Sequence, residues 1–123
     1  MADIKRFITS DGAARDMVTY ANELAEKIKF VSTSQIRNVY GTVKKLEMIG
    51  LSEKSLRQLL LLKPRLAYSK ARIDRRNKEA YEQFEKDIGL AIDAVELNTP
   101  ETFTRFCNFF EAILAYHKAH GGK

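Results

Sequence analysis

The chain predicts an all-α fold, a compact single-domain bundle of about five helices, on three observations. Apolar residues recur at three- and four-residue spacing along most of the length, the pattern of amphipathic helices. Strict alternation of β-branched residues is scarce, so strands are not expected. Only two prolines and six glycines punctuate 123 residues.

The elements follow in order. Residues 3–9 form a short segment with Ile4, Phe7 and Ile8 on one side, ended by Ser10, Asp11 and Gly12. The first main helix spans 13–30, with Met17, Ala21, Leu24 and Ile28 as its seam. Ser32 and Gln35 fit a capping box, in which the serine caps and the glutamine reaches back, and open a second helix that runs to 49. Its buried side is Ile36, Val39, Tyr40, Val43 and Leu46, and Gly50 ends it in a left-handed conformation. Ser52 caps a third helix whose buried side is Leu56, Leu59, Leu60 and Leu62. Pro64 cannot continue that helix without losing a hydrogen bond, so a break falls at Lys63-Pro64 and a new helix runs to 77.

The fourth long helix covers 78–97, with Tyr81, Phe84, Ile88, Ala91, Ile92 and Val95 as its stripe. Thr99 is its successor's N-cap and Pro100 the first helical residue. The last helix spans 100–119. Phe103, Phe106, Phe110, Ile113, Leu114 and His117 make one face, while Phe109 and Tyr116 lie off it. The stripe reads first as core, and second as a contact with a neighbouring subunit. Gly121, Gly122 and Lys123 read as a frayed tail. Residues 1–123 are taken as one domain with 1–11 and 120–123 as its mobile ends.

A chain of this length buries a core without disulfides or metal. Cys107, the single cysteine, has no internal partner, and a cytoplasmic protein is expected. No apolar run approaches the ~18 residues of a membrane span, and no secretory signal is visible at Met1–Arg6. No membrane partner is therefore expected. His117 and His120 are three apart on a helix, but nothing near them completes a metal site, so they read as packed or solvated. Cys107 sits among Phe103, Phe106 and Phe110 and reads as a small hydrophobe. No glycine-rich phosphate loop or catalytic constellation is present. No enzyme activity, catalytic residue, cofactor or metal is expected.

Charge is what separates this chain from an ordinary bundle. Residues 27–78 carry +11, whereas 1–26 carry −2 and 79–123 carry −4. Segregation of that kind favours a positive field over one surface, whose usual partners are polyanions, and a solvated lysine-rich face accounts for the charge equally well. Arg37, Gly41 and Lys44 fall along one line of the second helix with Lys45 beside them, and the glycine leaves room for a close phosphate approach. Lys63 and Arg65 open the following helix, where exposed N–H groups favour anions. Arg65, Ser69, Arg72 and Arg76 would share a face of it, Tyr68 lies beside Arg65 and Arg72, and Arg75 points elsewhere. A solvated surface paired to Glu79 and Glu82 accounts for the same pattern.

The run Ser32-Thr33-Ser34-Gln35-Ile36-Arg37-Asn38-Val39-Tyr40, then Leu62-Lys63-Pro64-Arg65-Leu66-Ala67-Tyr68 and Arg72, resembles the small helical subunit of the type III-A CRISPR–Cas (Csm) effector complex. The likeness covers about residues 28–76 by motif. It implies an RNA-binding, non-catalytic subunit lining the channel that holds guide and target RNA. The partners it implies are crRNA, target RNA, the backbone and large subunits, and neighbouring copies of itself. The family's basic residues carry over onto Arg37, Lys44, Lys63, Arg65 and Arg72, while Lys45, Arg75 and Arg76 are added by position and charge. The apolar last helix makes a homodimer of the isolated chain a further expectation. Two other functions remain open: a helix-turn-helix DNA binder built on residues 33–62, and a structural adaptor whose aromatics drive assembly.

Overall fold

The computed structural model describes residues 3–122; Met1, Ala2 and Lys123, parts of the two ends read as mobile, lie outside the described residues. The chain is all-α, and no strand occurs among the described residues. The helices are α1 (Ile4–Thr9), α2 (Ala14–Lys27), α3 (Thr33–Ile49), α4 (Glu53–Leu60), α5 (Leu62–Lys70), α6 (Lys78–Asp93) and α7 (Glu101–Ala119), with 3-10 turns at Asp11–Ala13 and Arg75–Asn77. Seven helices among the described residues stand where about five are expected, because the first short segment is itself helical and the leucine-rich stretch splits in two.

α7 is the axis of the bundle. It packs against α1, α2, α3 and α6, and its Phe103, Phe106, Cys107, Phe109, Phe110, Ile113 and His117 are all buried. Phe110 joins three helices: its ring lies 5.5 Å from Tyr40 of α3, 5.9 Å from Phe84 of α6 in an edge-on arrangement, and 6.3 Å from Phe106. Such pairs add about 0.5–1.5 kcal/mol each beyond their burial. Phe109 is buried rather than set apart, because α1 crosses that side and places Phe7 5.7 Å from it. A helix surrounded on several sides has no single apolar stripe. The α7 aromatics are therefore core, and the helix offers no exposed aromatic face to a second copy.

Several boundaries differ from expectation for identifiable reasons. Ser32 caps α3, but its Oγ accepts from Ser34 N at 3.2 Å, and the reciprocal bond from Gln35 does not form. Gly50 has φ +99 but ψ 160, so it is extended with positive φ rather than left-handed helical, a conformation open essentially to glycine. Its carbonyl accepts from Ser55 Oγ at 2.7 Å, which clamps α4 to the end of α3. The break before Pro64 comes at Leu61, and the proline sits in the first turn of α5, where its missing N–H has no partner to lose. Leu59 and Leu62 are buried, whereas Leu60 and Leu61 face outward.

The helix expected to reach residue 77 ends at Lys70. Amides of Ala71, Arg72 and Ile73 tighten onto the carbonyls of Tyr68, Ser69 and Lys70, and the chain reverses. The reversal lays α6 back along α5, where Tyr81 Oη donates to Leu66 O at 2.9 Å. α6 ends at Asp93, not 97, and α7 opens at Glu101 with Pro100 at its N-cap and no side-chain cap from Thr99; Thr102, in the first turn, ties the preceding loop to the helix. Thr102 Oγ1 accepts from Glu96 N at 2.8 Å and donates to Thr99 O at 2.7 Å. Gly121, at φ +85, donates to Lys118 O and Gly122 to His117 O, the paired bonds of a Schellman cap.

Candidate nucleic-acid interface

α3 turns Ile36, Val39, Val43 and Leu46 inward, so Arg37, Gly41 and Lys45 form an exposed ridge by four-residue steps. A Cβ built on Gly41 would meet nothing within 4 Å, so no neighbouring side chain demands glycine there. α5 lies alongside: Arg65 Nη1 donates to Thr42 Oγ1 at 2.9 Å. That bond brings the two basic stretches of the sequence to one surface. On the same side of α5, Tyr68 is 70% exposed and the Arg72 guanidinium lies 5.7 Å from the centre of its ring. Arg72 belongs to the turn after α5, yet Tyr68 holds it near the face expected for it.

Other predicted residues are placed differently. Lys44, also exposed, is engaged by an acid of its own helix. Its Nζ bonds Glu47 at 3.3 Å, which, first among the nearby groups, holds the ammonium above the usual lysine range. Lys63 points to the opposite side of α5 from Arg65 and pairs with Asp93 at 2.8 Å. Lys70 does likewise, with Glu85 at 3.2 Å and Glu82 at 3.6 Å. Of the basic-on-acidic pairing expected with Glu79 and Glu82, only the pair with Glu82 forms, to Lys70 on the α6 side; Glu79 takes part in no ion pair among the described residues. These pairs are solvent-exposed and add little to stability. Arg75 and Arg76 lie on the second 3-10 turn, so the continuous Arg65-Ser69-Arg72-Arg76 face is not formed. Arg76 is within 3.8 Å of Asp74 and is almost fully exposed.

Among the described residues, Arg37, Lys45, Arg65, Arg72 and Arg75 take part in no ion pair. The surface of α3 and the outer side of α5 thus carries free cations, while α6 carries five carboxylates, Glu79, Glu82, Glu85, Asp87 and Asp93. Sequence reasoning missed Thr42, which orients Arg65 from 23 residues away. It also missed Phe30, 62% exposed in the turn after α2, although its place two residues past the seam residue Ile28 marks it as off the seam.

The groups with chemical potential elsewhere are used in packing. His117 Nε2 lies 3.0 Å from Val31 O, and His120 Nε2 lies 2.6 Å from Asn22 Oδ1. Burial pushes the Cys107 thiol up to about 12, so it is not a reactive thiolate. Among the described residues no three His, Cys, Asp or Glu side chains converge, and no helix is long and apolar enough to cross a membrane.

Fold and surface together define a small all-α protein in which Arg37, Lys45, Arg65 and Arg72 stand as unpaired cations on adjoining exposed faces of α3, α5 and the turn after it. The family described as Csm2 Type III-A matches residues 11–123, nearly the whole chain. The chain belongs to that family and is a small subunit of the type III-A CRISPR complex. No curated protein and no solved structure matches it.

Proposed function

We propose that this subunit binds RNA without catalysing a reaction, lining the channel for crRNA and target RNA through sequence-independent phosphate contacts. The observation that carries the reading is the Arg65–Thr42 bond, which sets α5 beside α3 so that Arg37, Lys45, Arg65 and Arg72 share a surface without acidic partners. Phosphate contacts position a polyanion and read no sequence, which suits a complex in which base pairing does the reading. Lys44 beside this surface and Lys63 on the α6 side of α5 reach RNA by exchanging exposed carboxylate partners for phosphates, and Arg75 and Arg76 extend the set. Residues 1–123 act as one domain of a cytoplasmic assembly.

Contacts with the backbone and large subunits, or with neighbouring copies, have a separate candidate surface. Met48 and Ile49 at the end of α3, and Leu60 and Leu61 between α4 and α5, are exposed apolar side chains. The helix-turn-helix reading is weaker, because α4 has only eight residues and spends two of its outward positions, with the residue after it, on leucine and glutamine.

The test is RNA binding as a function of salt, with duplex DNA of equal length alongside, by the purified chain and by the assembled complex. Affinity should fall steeply with salt, by roughly 0.7 in log–log slope per single-strand phosphate contact. It should be alike for unrelated RNA sequences. Arg37→Ala and Arg65→Ala should each weaken binding with helical content unchanged, and Lys63→Glu with Arg72→Glu should abolish it at physiological salt. Unchanged RNA retention by all of these variants in the complex would leave the adaptor reading in its place.

A further inference from the structure

Phe30 is the one large aromatic of this chain, apart from Tyr68, that the described fold leaves mostly in solvent, at 62% exposure. Its neighbours Ile28 and Val31 are buried and supply the local packing, so the ring does nothing for the core. It forms one wall of a cleft of about 560 Å³ whose other lining residues are Asp74, Arg76 and Asn77 of the turn between α5 and α6. That volume falls within the ~300–1,000 Å³ typical of small-molecule sites. A second cleft adjoins it, lined by Lys27, Arg76, Glu79, Ala80 and Gln83. Arg76 therefore stands between an aromatic wall and Lys27, and the turn that carries it also carries Arg72 of the basic surface.

We propose that the Phe30 cleft takes one unpaired nucleobase of single-stranded RNA, stacked on the Phe30 ring, with the adjoining phosphate held between Arg76 and Lys27. The two clefts also carry the acids Asp74 and Glu79, but an apolar ring beside Arg76 and Lys27, with Lys29 Nζ 5.4 Å from its centre and displaceable by a base, matches the two halves of a nucleotide, a π-face and an anion. Lys27 takes part in no ion pair among the described residues, and Arg76 has only its long contact with Asp74. The guanidinium is thus free to present its fork to a phosphate. Asn77 supplies both a donor and an acceptor to a base edge, and Asp74 an acceptor. A base already paired and stacked in a duplex cannot use the ring, so the site selects unpaired nucleotides. This inference rests on the RNA-binding reading and adds to it a strand preference that phosphate contacts alone do not give.

The experiment uses the full chain, alone and in the assembled complex, with an oligouridylate carrying one fluorescent purine analogue and an RNA duplex of equal length. Phe30→Ala should weaken single-strand binding roughly tenfold, the scale of one base–aromatic stack. It should leave duplex binding and the thermal melt unchanged, since the ring is mostly exposed. Phe30→Tyr should restore binding. The analogue's emission should be quenched by the wild type and the Tyr variant but not by the Ala variant. If Phe30→Ala binds the single strand as the wild type does, while Arg65→Ala weakens both RNAs, the stacking site is overturned and the phosphate reading survives. If the wild type binds neither RNA in isolation or in the complex, both fall. If Phe30→Ala keeps full RNA affinity but drops out of the assembled complex, the ring is a protein contact and the inference is overturned.

Discussion

Gly41 lies exposed in the middle of α3, where a methyl group would meet no neighbour within 4 Å. Glycine at an interior helix position is unfavourable by about 1 kcal/mol relative to alanine. Gly41→Ala should therefore stabilise the chain by about that amount and raise its melting temperature by a few degrees. If RNA approaches the α3 backbone closely, the same methyl should weaken RNA binding. A thermal melt and a binding isotherm on one variant check both. Higher stability with unchanged affinity would assign Gly41 no part in the interface. The residues of the basic surface were largely legible in the sequence, because Arg37, Lys45 and Arg65 stand at helical spacing from one another's neighbours. Their partners were not. Lys63 meets Asp93, and Arg65 meets Thr42, across 30 and 23 residues, and no periodicity encodes which side of a neighbouring helix will carry an acid. Phe30 was passed over for a related reason: the seam predicts which residues go in, and an aromatic outside it gives no further signal until the opposite wall is known.

At the scale of elements, α2 and α6 are tied by a buried polar cluster. Tyr20 Oη donates to Asp87 Oδ2, and Gln83 Nε2 donates to Oδ1 at 2.9 Å. Asp87 is buried in the stripe of α6, and burial raises its carboxyl above the ordinary 3.8 despite the opposing bonds from Tyr20 and Gln83. A carboxyl raised on folding contributes stability that is full below its unfolded value and is lost as pH climbs through its folded value. Asp87→Asn keeps an acceptor for Tyr20 but removes the titration. The melting temperature of the variant minus that of the wild type should therefore increase from about pH 4 upward and level off once Asp87 is ionised. A difference that is flat with pH would show that Asp87 titrates alike in both states. Tyr20→Phe should be destabilising by about 1–3 kcal/mol, because one carboxylate oxygen loses its donor inside the fold. Helix existence was legible throughout, from the 3.6-residue period and the caps at Ser32 and Ser52. Helix ends were not, where a reversal is fixed by tertiary packing. Nothing local in Ala71-Arg72-Ile73 says that the chain must turn back to bury Tyr81 and Phe84 against α5.

For the whole molecule, the consequence of an α7 axis is that the core has one centre. Buried apolar residues of all seven helices form a single continuous cluster, and Cys107 lies within it, 2% exposed. Desolvation lifts the thiol to about 12, so both access and ionisation require the surrounding helices to open. Cys107 is therefore a built-in reporter of global opening. At mildly alkaline pH the native chain should resist alkylation, and across a urea series the labelled fraction should rise together with the loss of helical signal. Phe110→Ala removes the ring shared by α3, α6 and α7. It should lower stability by about 3–5 kcal/mol and shift both curves to lower urea by the same amount. Labelling of the wild type that precedes loss of helix would mean that α7 opens locally. In that case the acidic, aromatic C-terminal third becomes available to partners alongside the basic surface of α3 and α5, and the division of the molecule into an inward α7 and an outward basic face fails.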